Sequence, residues 1–167
     1  DGTTANDVDI VFNNAGGLRS DITSTTKPFT LTYGLMYGEL PFGNATLVGK
    51  MTGWQIMELL NQSATLFKGA IQVSGIRYAF YSYTDTLPGP QPYAWGAYSV
   101  TVKDRNTNTW GPLVLTQTYS IATNEFLAPA GQDGYSSFKY TANYSYTYWG
   151  DMLDGVNRWV SKMYSTT

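Results

Sequence analysis

A single mixed α/β domain, its sheet partly antiparallel and flanked by a few helices, is what this 167-residue sequence predicts. Three observations predict it. Short strand-like runs interleave with helical patterns along the chain. Apolar residues make up 43% of it, enough for a buried core. No repeat, linker or shift of composition divides it, so residues 1–167 read as one domain. No apolar stretch approaches the length of a membrane span.

Val8–Phe12 is a short apolar run ending at Asn13-Asn-Ala-Gly-Gly17, a buried strand feeding a glycine-rich turn. Phe29–Thr32 alternates like a strand. Tyr33–Leu40 predicts a short helix with Leu35, Met36 and Leu40 inward, stopped at Pro41-Phe-Gly43. Ala45–Met51 reads as a strand and Thr52 as the N-cap of a helix, in which Trp54, Met57, Leu59 and Leu60 recur at helical spacing and Glu58 faces out. Ala70–Val73 and Ile76–Tyr83 are strand-like, separated by a bend or bulge at Ser74-Gly75.

Leu87–Pro92 carries three prolines and is expected to be irregular. Ala97–Lys103 and Trp110–Leu115, joined by Asn106-Thr-Asn108, predict a hairpin. Tyr119–Thr123 is another strand, followed by a loop containing Pro129, Gly131 and Gly134. Tyr140–Trp149 alternates hydroxyl-bearing and aromatic residues, as a half-buried strand does. Met152–Tyr164 predicts an amphipathic helix with Leu153, Val156, Trp159, Val160 and Met163 on one face.

Composition narrows the chemistry. With no His and no Cys, the chain has no His general base, Cys nucleophile, disulfide or zinc site built from those ligands. Its ten Lys and Arg are scattered, with no stripe to follow a nucleic acid polymer. A glycosidase needing only carboxylates stays open; Glu39, Glu58, Glu125 and Asp133 are its candidates, though their spacing defines no pair across a cleft. Asn-x-Ser/Thr sequons at Asn44, Asn61 and Asn143 suit a glycosylated protein that is extracellular, periplasmic or on the cell surface. No leader opens the sequence, so any export signal is expected to be already removed or outside it.

Four segments then stand out in order: Asn13-Asn-Ala-Gly-Gly-Leu-Arg19; Leu31-Thr-Tyr-Gly34 continuing to Leu40-Pro-Phe-Gly-Asn44; Met51-Thr-Gly-Trp-Gln55 running on to Gln72-Val-Ser-Gly-Ile-Arg77; and Ala122-Thr-Asn-Glu-Phe126 to Gly131-Gln-Asp-Gly-Tyr135. Together, over about residues 7–138, they resemble the C-terminal, substrate-binding domain of the secreted 5'-nucleotidase and UDP-sugar hydrolase family. The resemblance implies that Asn14 and Arg19 bind phosphate, that Phe126 stacks on a base and that Asp133 accepts ribose hydroxyls. The residue types suit those tasks. A strand ending in glycines lets backbone N–H groups approach an anion, and a guanidinium offers a planar fork.

The resemblance also implies differences and absences. The family's second stacking ring is expected just before the Gln72 strand, where Ala70 stands, with Phe67 nearby. The loop from Phe126 to Asp133 is one residue longer than the family pattern, with Pro129 inside it and Gln132 where a Gly is usual. A further phosphate-binding Arg belongs to a helix upstream of the first strand. The family's catalytic metal pair, a divalent pair such as Zn or Mn, lies on a separate N-terminal metallophosphatase domain. The expected role is therefore recognition of a nucleoside monophosphate, with hydrolysis performed by that partner domain and no catalytic residue, metal or cofactor in this chain. Two other readings remain: a non-catalytic extracellular structural or adhesive module on the same fold, or the same enzyme family acting on nucleotide sugars, cyclic nucleotides or a sulfur-containing anion.

Overall fold

The computed structural model describes residues 8–81, 96–140 and 146–164. Over these the chain forms strands β1 (Ile10–Asn13), β2 (Ala45–Thr52), β3 (Gln72–Ser74), β4 (Ile76–Tyr81), β5 (Gly96–Lys103), β6 (Trp110–Pro112), β7 (Thr118–Asn124) and β8 (Thr147–Asp151). Helices α1 (Tyr33–Glu39), α2 (Gly53–Ala64) and α3 (Met152–Tyr164) complete it, with short 3-10 turns at Ala15–Gly17, Gln132–Gly134 and Ser136–Tyr140. A five-stranded sheet runs β3-β1-β7-β2-β8; β1 and β7 are parallel and every other pairing is antiparallel. A second, antiparallel sheet runs β4-β5-β6. The mixed α/β class read from the sequence is the one observed.

Thr52 starts α2 with a complete capping box. Its Oγ1 accepts from Gln55 N–H at 3.3 Å while Gln55 Oε1 accepts from Thr52 N–H at 2.8 Å. The inner face of α2 is Ile56, Leu59, Leu60, Ser63 and Ala64, all buried, and it packs against β2, β4 and β5. Trp54 lies outside, 59% exposed, because about 100° per residue sets it some 200° from Ile56. The core joins both sheets through Ile10, Phe12, Met51, Ile121, Ile76, Val100 and Val102. A smaller cluster of Met36, Leu40 and Leu153 holds α1 against α3.

Other expectations are corrected. Phe29–Thr32 forms no strand; Thr32 instead caps α1, its Oγ1 accepting from Leu35 N–H at 3.3 Å. Leu35 faces solvent, since a helix that turns Met36 and Leu40 inward carries residue 35 about 100° away. The Trp110 strand ends at Pro112, not Leu115. Of the Tyr140–Trp149 segment, residues 141–145 lie outside the described residues; its end enters β8, an edge strand on which Tyr148 and Trp149 are exposed. Of the apolar face of α3, Leu153 is buried and Val160 packs beside it, whereas Val156, Trp159 and Met163 are exposed. The bend at Ser74-Gly75 is present: Gly75 has φ +78°, and a Cβ there would collide with the Asp9 carbonyl. The proline-rich 87–92 stretch lies outside the described residues.

Candidate functional site

Strand direction gathers four loops at one end of the large sheet. The parallel strands β1 and β7 both end there, delivering the glycine turn (14–19) and the loop carrying Phe126 and Asp133. Strands β2 and β3 run the opposite way, as their pairings Thr46↔Asn124 and Asn13↔Gln72 record, so the segments preceding them arrive at the same end. Those segments carry Phe42 and Asn44, and Lys68. The carboxyl end of parallel strands is where open α/β sheets form ligand crevices.

An open cleft of about 430 Å³ lies there, lined by Asn14, Gly16, Arg19, Phe42, Asn44, Lys68, Phe126 and Asp133. All four residues singled out from the sequence are among them. That volume falls within the range of small-molecule sites, roughly 300–1,000 Å³.

Asn124, fully buried at the end of β7, organises the floor. Its Nδ2 donates to Asn13 Oδ1 at 2.6 Å and to Asn14 Oδ1 at 2.9 Å, and its Oδ1 accepts from Leu127 N–H at 3.0 Å. One amide therefore pins both the glycine turn and the Phe126 loop. Because the Asn14 carbonyl oxygen is committed to Asn124, its NH₂ group is the end left for the cleft, where it donates to Asp133 Oδ2 at 3.4 Å. Gly17 leaves room beneath it: a Cβ at 17 would sit 3.0 Å from Asn14 Oδ1 and press on that side chain.

Arg19 is exposed; its Nη1 donates to Gly16 O at 3.4 Å and its guanidinium lies 5.6 Å from the centroid of the Phe42 ring. Phe126 is 39% exposed and Phe42 57% exposed, so both rings face the opening rather than the core. Asp133 holds a left-handed backbone (φ +56°) that Asp tolerates, between Gly131 and Gly134, which share that region. The longer loop thus still returns the carboxylate to the cleft.

The second ring lining the cleft is Phe42, not a residue before β3. Ala70 does not line it, and Phe67 is exposed beside Gly134. Phe42, Lys68 and Asn124 are not among the residues singled out from the sequence, and Asn44 is there only as a sequon. Phe42 and Asn44 stand in Leu40-Pro-Phe-Gly-Asn44, a segment of the family resemblance in which Pro41-Phe-Gly43 also stops the helix; an aromatic just outside a helix end is the available signal. Asn124 ends the mostly buried strand β7, within the Ala122-Thr-Asn-Glu-Phe126 segment of the resemblance. Nothing in the sequence distinguishes Lys68.

The sequon at Asn44 conflicts with a ligand, since a glycan there would stand in the cleft. The Asn61 side chain already accepts from Ala97 N–H at 2.8 Å, and Asn143 lies outside the described residues. The glycosidase candidates do not converge. Asp133 is the one carboxylate in the cleft, Glu39 accepts from Ser20 N–H and Glu125 from Ala45 N–H. The chain has no His or Cys, and among the described residues no three of His, Cys, Asp and Glu gather.

Residues 3–140 match the family described as the 5'-nucleotidase, C-terminal domain. The chain belongs to that family. It is 38% identical over 139 residues to cell wall protein Lmo0130 of Listeria monocytogenes, covering 80% of this chain and 16% of that protein. It is 31% identical over 137 residues to an NAD 5'-nucleotidase of Haemophilus influenzae, covering 78% of this chain and 21% of that one. Among solved structures, the Haemophilus influenzae NAD nucleotidase superposes with a TM-score of 0.73 at 25% identity over 96% of this chain and 29% of its own. A 5'-nucleotidase precursor from Thermus thermophilus gives 0.65 at 29% identity over 87% of this chain and 26% of its own. This chain thus covers about a fifth or less of these two curated relatives. Among the described residues no helix is long and apolar enough to cross a membrane.

Proposed function

We propose that this domain is the nucleotide-recognition part of a 5'-nucleotidase-like phosphohydrolase, binding a nucleoside monophosphate and presenting it to a divalent metal pair on a separate N-terminal metallophosphatase domain. The observation that carries the reading is the convergence of Asn14, Arg19, Phe126 and Asp133 on one cleft. The Phe42 and Phe126 rings clamp the base, a contact worth about 1–3 kcal/mol per stacked base. Asp133 accepts ribose hydroxyls, and the Asn14 amide and Arg19 guanidinium hold phosphate oxygens. The domain contributes orientation and proximity, not bond breaking. Alone it releases no phosphate from AMP. A place outside the cytoplasm, at the cell surface or in the surrounding medium, is supported by the relative named a cell wall protein and the structure titled a precursor.

Titration calorimetry with AMP, adenosine and inorganic phosphate tests this. AMP is expected to bind more tightly than adenosine, and Arg19→Ala to erase that difference. Phe42→Ala and Phe126→Ala are each expected to weaken both nucleoside ligands by roughly five- to 150-fold. Absence of AMP binding would sink the reading.

A further inference from the structure

A second hollow lies at the opposite end of the large sheet from the cleft, where β1 and β7 begin and β5 gives way to the turn before β6. It is open, about 380 Å³ in volume, and its lining is charged: Asp9, Lys103, Asp104 and Arg105, with Gln117 and Tyr119 beside them. Lys103 and Asp104 are consecutive, yet both line it, because β5 ends at Lys103 and the alternation of faces ends with the strand.

The four charges divide into a spent pair and an unspent one. Asp9 Oδ1 accepts from Arg105 Nε at 3.1 Å and Asp9 Oδ2 from Ser120 N–H at 2.8 Å, a bridge that ties the start of β1 to the turn. Asp104 is fixed by the turn itself, its Oδ1 accepting from the N–H groups of Asn106 and Thr107. Neither Lys103 nor Asp104 makes an ion pair among the described residues. Because the four charges cancel, the hollow favours neither an anion nor a cation as such. What it leaves unmatched is one ammonium and one carboxylate, side by side. Tyr119, only 4% exposed, adds a donor: its Oη accepts from Val114 N–H at 2.9 Å, and its own hydrogen meets no acceptor among the described residues.

We propose that this hollow binds a small zwitterion, a free α-amino acid, with its carboxylate on the Lys103 ammonium and its ammonium on the Asp104 carboxylate. An α-amino acid carries its two charges on one carbon, as the protein presents their partners on consecutive residues. Gln117 places an amide on the same lining for a polar side chain. The turn bonds to Asp104 and the Asp9–Arg105 bridge hold the walls before the ligand arrives, which lowers the ordering cost of binding. The contacts are open to solvent, so affinity is modest and falls as salt rises. No residue lines both hollows, and the proposal is independent of the nucleotide reading.

Amide chemical-shift titration of the 167-residue chain with glycine, L-glutamine, N-acetyl-L-glutamine, L-glutamine amide and glucose tests it. L-glutamine is expected to give saturable shifts at Asn106, Thr107 and Gln117. The N-acetyl form lacks the ammonium and the amide form lacks the carboxylate, so each should bind about five- to tenfold more weakly. Lys103→Gln and Asp104→Asn should each cost the same, roughly five- to tenfold, and Lys103→Arg should retain binding. Asp104→Asn keeps an acceptor for the turn, and urea unfolding of each variant verifies that the fold survives. No saturable shift with glycine or L-glutamine overturns the proposal. So does equal binding of the capped forms or of glucose, or a loss confined to one of the two charge variants, which would mark a site for a single ion.

Discussion

At the scale of single residues, Asn124 governs more of the site than any group that faces it. Its amide satisfies the side chains of Asn13 and Asn14 and the backbone of Leu127, so it reaches the cleft through Asn14 without lining it itself. Asn124→Ala leaves those partners without it in a buried setting, so a loss of ~2–4 kcal/mol is expected in urea unfolding. AMP affinity should fall too, because the freed Asn14 amide no longer points one way. Retained affinity with lowered stability would separate the floor from the site. A second residue-scale prediction concerns Asp104 at the β5–β6 turn. Its carboxylate accepts from Asn106 N–H at 2.8 Å and Thr107 N–H at 3.0 Å, and these bonds hold its pKa below the ordinary value. A depressed pKa means the contribution is present above the unfolded-state pKa and lost as pH falls through the folded one. The Asn106 and Thr107 amide resonances should therefore titrate with a midpoint below the usual aspartate value, and Asp104→Asn should abolish that titration.

At the scale of elements, local rules explain where the helices begin but not always which way they face. The Thr52 capping box was legible because Thr and Gln stand at the required spacing; Thr52→Ala should cost about 1 kcal/mol in chemical denaturation. The face of α3 was legible as a pattern, yet its partner was not. Periodicity marks an apolar stripe without saying how much of it the rest of the fold covers. Here α1 is only seven residues long and reaches Leu153 and Val160, leaving Val156, Trp159 and Met163 exposed. Leu153→Ala should accordingly destabilise by about 2–3 kcal/mol. Trp159→Ala, despite deleting a far larger side chain, should move the unfolding midpoint by an amount worth no more than about 0.5 kcal/mol. Comparable losses for both would mean that the exposed stripe is covered in solution.

At the scale of the whole molecule, the class of fold was readable from interleaved strands and helices, whereas the two-sheet division was not, since sequence spacing does not say which strands pair. The same limit applied to the cleft. Asn14, Arg19, Phe126 and Asp133 lie in segments with recognisable turns, but Phe42 and Lys68 join them only because the antiparallel β2 and β3 bring their leading loops to the end where β1 and β7 stop. Ligand binding there should consequently tie together β1, β2, β3 and β7 rather than stiffen one loop. If nucleotide binds the folded state alone, a ligand at a hundred times its dissociation constant adds about 2.7 kcal/mol. For a chain of this length that corresponds to a rise in Tm of roughly 5–10 °C. Differential scanning calorimetry with AMP should show that rise, undiminished by a metal chelator because the proposed contacts are side-chain hydrogen bonds, charge and ring stacking. Loss of the shift on adding chelator would show that a metal ion helps to hold the ligand in this domain, contrary to the roles assigned to Arg19, Phe42 and Phe126.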